Sequence, residues 1–109
     1  MIPAFKTLAV FAAGLAMVPS MAGAAPAAAS VEIANFTFKA PTLTVKPGTT
    51  VTWTNADDIP HTVTSNTGLF KSKVLDSGDK FSFTFAKPGQ FGYFCSLHPH
   101  MTGTIVVKA

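Results

Sequence analysis

Four side chains in this sequence could hold a soft metal ion. Cys95, His98 and Met101 stand at intervals of three in the run Cys95-Ser96-Leu97-His98-Pro99-His100-Met101, and a further imidazole, His61, stands well upstream after Asp57-Asp58-Ile59-Pro60. A thiolate and two imidazoles in a plane, with a weak thioether on the axis, form the donor set of electron-transfer copper. Each donor alone has an ordinary reading. Cys95 could be a small buried hydrophobe, Met101 a core gap-filler, and the histidines polar loop residues. The set reverses that balance. Only His98 lies three residues from both sulfur donors, so His100 is read as exposed and not a ligand. Met1, Met17 and Met21 belong to the leader, which makes Met101 the one methionine beyond it.

The other metals fit poorly. Structural zinc favours four Cys or His donors in paired spacings such as Cys-x-x-Cys, which are missing, and has little use for a thioether. Calcium and magnesium need clustered oxygen donors that Asp57-Asp58 alone do not supply. Iron–sulfur clusters and attached haem need more cysteines. Copper also offers no open position for a substrate here, and no acid–base pair adjoins the donors, which points to a carrier and not an enzyme. Pro60 and Pro99 restrict the backbone of both ligand segments.

Such donors need strands and tight turns to bring them together. Val31 and Ile33 alternate with polar neighbours, and Phe36 and Phe38 resume the alternation on the other phase, which predicts a bulge near Asn35. Thr42–Val45 and Val51–Thr54 read as strands around the Pro47-Gly48 turn. Val74-Leu75 and Phe81–Phe85 flank the turn Asp76-Ser77-Gly78-Asp79. Pro88-Gly89 leads into a strand over Phe91–Cys95, Ser96–Met101 is expected as a loop, and Thr104–Val107 as the last strand. Helical spacing is missing. The expectation is an all-β, Greek-key antiparallel sandwich or barrel of seven to eight strands. Its end loops would carry His61 to the Cys95–Met101 segment.

The first residues read differently. Lys6, the apolar run Leu8–Val18, and Ala22-Gly23-Ala24 follow the order of a secretory signal peptide, with Ala27-Ala28-Ala29 as a second possible cleavage site. As a helix the run would rise about 16 Å, short of the roughly 30 Å of a membrane core. No stable membrane insertion is expected. The expected division is a signal peptide at 1–24, a flexible leader at 25–30, and one domain at 31–109. Export to the periplasm leaves 85 of the 109 residues. So small a domain buries a thin core, and exported domains of this size often add a disulfide or a metal. A single cysteine cannot form an internal disulfide, and ligation would protect it.

Seven lysines beyond the leader oppose five acids, a net charge of +2, with no arginine. This is too dilute for nucleic acid, although it could steer an acidic redox partner.

Trp53-x-Asn55 followed by Pro60-His61, with Tyr93-x-Cys95-x-x-His98-Pro99-x-Met101-x-Gly103, resembles the cupredoxin family of blue type 1 copper proteins, and within it the amicyanins, whose ligand loop is similarly short. The resemblance spans most of the chain beyond the leader. It implies that His61, Cys95, His98 and Met101 are the copper ligands. It also implies that Asn55 tethers the His61 loop and supports the thiolate. Leu97, His98, Pro99 and His100 would be the electron port and partner surface of a monomeric periplasmic carrier. His100 departs from the phenylalanine common in amicyanins. The implied partners are an amine dehydrogenase or another donor and a c-type cytochrome acceptor, met through a small transient contact. Two other readings are a periplasmic copper-binding or delivery protein without a redox circuit, and an inert sandwich module with Cys95 in its core.

Overall fold

Where Val, Thr and Phe alternate with polar residues the chain is extended, because branched and aromatic side chains fit a pleated, half-buried surface. Residues 27–109 are described by the structure, a computed structural model, and the expected signal peptide lies outside them. Eight strands form: β1 (Ala28–Ala34), β2 (Thr37–Phe38), β3 (Thr42–Val45), β4 (Thr49–Asn55), β5 (Thr64–Ser65), β6 (Lys80–Phe85), β7 (Gly89–Cys95) and β8 (His98–Val107). They build two four-stranded sheets, in the orders β2-β1-β4-β6 and β3-β8-β7-β5. The all-β sandwich expected from the sequence is therefore the fold.

Four of the six strand pairings are antiparallel, but β1 runs parallel to β4 and β3 parallel to β8. Parallel neighbours need a crossover connection. Here β1 reaches β4 only after the chain has visited the other sheet as β3, so the sheets are mixed.

Three local expectations change. Asn35 and Phe36 do not form a bulge. Both have positive φ, 53° and 55°, and join Ala34 to Thr37 as a two-residue hairpin turn, the geometry that suits the twist of the flanking strands. Ala28, Ala29 and Ser30, expected within a flexible leader, pair with Thr50, Val51 and Thr52, because the backbone of β4 offers theirs ladder hydrogen bonds. Lastly, β8 begins at His98, and Cys95 pairs directly with it across Ser96-Leu97, so most of the expected Ser96–Met101 loop is strand.

The inward faces meet in one aromatic-rich core. In β4, Val51, Trp53 and Asn55 point inward and Thr50, Thr52 and Thr54 point outward. Trp53 contacts Tyr93 edge-on at 5.3 Å and tilts against Phe70 and Phe81 at 5.8 Å, arrangements that add to simple area burial. Phe38 meets Tyr93 at 4.7 Å. Among the described residues, Trp53 Nε1 and Tyr93 Oη are both buried without a partner in hydrogen-bond geometry. Their proximity offsets only part of the upward push that burial gives the Tyr93 phenol, so it stays neutral.

Gly103 on β8 lies under the Tyr93 ring, and a Cβ there would come within 2.5 Å of Cζ and Oη. The ring is wedged between two sheets and cannot retreat. Gly103→Ala is therefore expected to destabilise the fold by about 1–3 kcal/mol through overpacking, measured as a lower urea midpoint at unchanged slope.

Candidate metal centre

The site lies where β7 ends, β8 begins, and the segment between β4 and β5 crosses the end of the sandwich. Cys95 is the last residue of β7 and fully buried. Its register with β8 shifts at Phe94/Cys95, so Pro99, His100 and Met101 are accommodated between the pairs Phe94–Thr102 and Cys95–His98. Extra residues of this kind re-aim side chains. Met101 is buried, His98 half-buried, and Pro99 and His100 exposed.

His61 reaches the same end as the one residue of its segment locked by a backbone pair. Its N–H donates to the Leu75 carbonyl at 3.1 Å and its carbonyl accepts from the Leu75 N–H at 2.7 Å. Asn55 ties both strands of that lock together. Its Nδ2 donates to the Ile59 carbonyl at 2.9 Å and the Leu75 carbonyl at 2.8 Å, and its Oδ1 accepts from the Asp57 N–H at 2.8 Å. Asn55 thus tethers the His61 segment. Among the described contacts it makes none to the thiol, and that part of its expected role passes to Thr62, whose N–H donates to Cys95 Sγ at 3.3 Å. The Thr62 hydroxyl accepts from the Ser96 N–H at 2.7 Å and pairs with Ser96 Oγ at 2.8 Å. Both ligand segments are latched there.

The donors converge. Cys95 Sγ lies 3.7 Å from His61 Nδ1 and 3.6 Å from His98 Nδ1, and His61, Cys95 and His98 each direct one donor atom into a common space within 4.8 Å. Donors each about 2.0–2.3 Å from one shared ion would be spaced in this way. The residues therefore fit copper: two imidazole nitrogens and a buried sulfur could supply three donors, and Met101, buried on β8, carries the thioether of the expected set.

Asp57 completes the arrangement. His61 Nε2 donates to Asp57 Oδ2 at 2.8 Å, and Nδ1 is the ring nitrogen that faces Cys95 Sγ. The carboxyl is held below the usual aspartate range, chiefly by the Phe36 N–H, with His61 and the Asn35 N–H adding and burial opposing. Phe36 itself stands edge-on to both imidazoles. Sequence reasoning passed over Asp57, Thr62 and Phe36. A carboxylate four residues before His61, and a hydroxyl residue immediately after it, were the available signals for the first two. Nothing local to Phe36 pointed to the site. Of the expected port, Leu97 is half-exposed beside His98, and Pro99 and His100 lie at the surface.

A cupredoxin-like domain family model matches residues 7–107. Amicyanin-alpha of Methylorubrum extorquens is 34% identical over 110 residues, covering 96% of this chain and 91% of the relative. Among solved structures, a purple cupredoxin from Nitrosopumilus maritimus is 35% identical, covers 73% of this chain and 99% of that chain, and superposes with a TM-score of 0.69. An amicyanin variant in its Cu(I) form is 35% identical over 82% of this chain and 90% of its own, with a TM-score of 0.72. With the two-sheet sandwich and the converging His, Cys and His donors, these likenesses lead to one conclusion: the chain belongs to the cupredoxin-like family and is a type 1 copper electron-transfer protein, not an enzyme.

Proposed function

We propose that this chain carries single electrons between redox proteins in the periplasm, with one copper ion held by His61 Nδ1, Cys95 Sγ, His98 Nδ1 and the Met101 thioether. The observation that carries the ligand assignment is the approach of two imidazole nitrogens to one buried sulfur from segments far apart in the chain. Copper, when bound, supplies one-electron chemistry between its Cu(I) and Cu(II) states. The protein's task is to let that charge change happen with little movement.

His61 is held by Leu75, Asn55 and Asp57, and cannot swing without breaking several hydrogen bonds. Cys95 is fixed by β7 and receives the Thr62 N–H, which stabilises negative charge on sulfur. His98 differs: only half-buried, it is the ligand that reaches the surface, among Leu97, Pro99 and His100. That patch is the proposed electron port and docking surface. Its small size, with Leu97 and Pro99 as the apolar part, suits a brief encounter with a redox partner. An amine dehydrogenase or another donor, and a c-type cytochrome acceptor, are the partners we assign.

One equivalent of copper(II) added to the purified chain is expected to give an intense blue thiolate-to-copper band that bleaches reversibly on reduction. In Cys95→Ser the band is expected to be lost entirely. A colourless, readily surrendered copper would support a delivery protein instead, and no stoichiometric binding would leave an inert module. Thr62→Val keeps the N–H bond to sulfur but removes the hydroxyl latch on Ser96. It is expected to cost about 0.5–1.5 kcal/mol in urea unfolding of the loaded protein, with Thr62→Ser close to the unaltered chain.

A further inference from the structure

Phe36 occupies a backbone conformation that its side chain disfavours. At φ 55°, after Asn35 at φ 53°, it sits in the left-handed region where asparagine is common but a bulky residue is an outlier. Glycine would make the same hairpin turn without strain. Strain of this kind persists only where the surroundings over-determine it, and it gathers at functional sites.

Two contacts over-determine it. The Asp57 carboxylate accepts the Asn35 N–H at 2.7 Å on Oδ1 and the Phe36 N–H at 3.0 Å on Oδ2, and Oδ2 also accepts the His61 Nε2–H at 2.8 Å. One partly buried carboxylate therefore holds both the turn and the His61 imidazole. The Phe36 ring, half-exposed on its outer side, stands edge-on to His61 at 5.6 Å and 90° and to His98 at 5.0 Å and 87°, while the two imidazoles are themselves 5.1 Å apart. An aromatic edge wedged against two rings limits how far either can tilt or swing.

We infer that the β1–β2 turn is a third wall of the metal site, in which Asp57 and Phe36 are positioning residues: the carboxylate orients His61 and braces the strained turn, and the aromatic ring sets the two imidazoles relative to each other. The inference deepens the copper reading and rests on its ligands. It also explains why a large residue stands where the turn favours glycine.

The test uses the copper-loaded chain, unaltered and as Phe36→Gly and Asp57→Asn, and follows loss of the blue band to excess EDTA, together with thermal unfolding of the same preparations without copper. Each variant is expected to release copper on the order of ten-fold faster, as when a partner of a ligand histidine is removed. Phe36→Gly, relieved of its strain, is expected to unfold without copper at an unchanged or higher temperature, which a merely structural role would not combine with faster release. Release at the unaltered rate in both variants overturns the inference, as does faster release from Phe36→Gly that only follows a lower melting temperature. If the unaltered chain forms no blue complex, the copper reading is what fails. NMR of the metal-free chain then decides the positioning role: a His61 imidazole protonated at Nε2 supports it, and one protonated at Nδ1 overturns it.

Discussion

Everything at the candidate metal centre depends on keeping one imidazole fully buried and aimed at a sulfur on a strand distant in the chain. A buried histidine must have its ring nitrogens satisfied, since an unpartnered polar group in low dielectric is costly. For His61 the problem is solved asymmetrically. Nε2 is taken up by Asp57, and Nδ1 is left facing Cys95. The ring orientation is set by the protein's own hydrogen bonds, so the candidate centre is preorganised.

That solution needs a rigid frame, and the sandwich provides it. Cys95 ends a strand paired on both sides, to β5 and to β8. Behind it, Tyr93, Trp53 and Phe38 fill the space between the sheets. The His61 segment has little regular structure of its own, yet its backbone is pinned to Leu75 and its polar groups converge on Asn55. A carboxamide can donate twice and accept once in a buried position where no apolar residue could replace it. The resulting site is stiff on the His61 and Cys95 sides and open to the surface on the His98 side, the asymmetry an electron carrier needs.

Much of this was legible in the chain. Alternation at Val51–Thr54 and Phe81–Phe85 announced strands, and the spacing of Cys95, His98 and Met101 announced soft-metal chemistry, because period two and donor type are local properties. The errors were local as well. The phase change at Asn35-Phe36 was read as a bulge, since phenylalanine at positive φ is too rare to expect. Small residues at Ala28–Ser30 suggested a loose leader, while their pairing with β4 comes from a partner more than twenty residues away.

By itself the sequence determined the donor chemistry, the strand-rich character and the family motif, because these depend on residue type and short spacing. Only the tertiary structure decided which sheet each strand joined and which two pairings ran parallel. It alone placed Thr62, and not Asn55, against the sulfur, and drew Asp57 and Phe36 to the histidines. Those outcomes depend on contacts between segments distant in the chain, where hydrogen-bond geometry and packing select among arrangements that the order of residues leaves open.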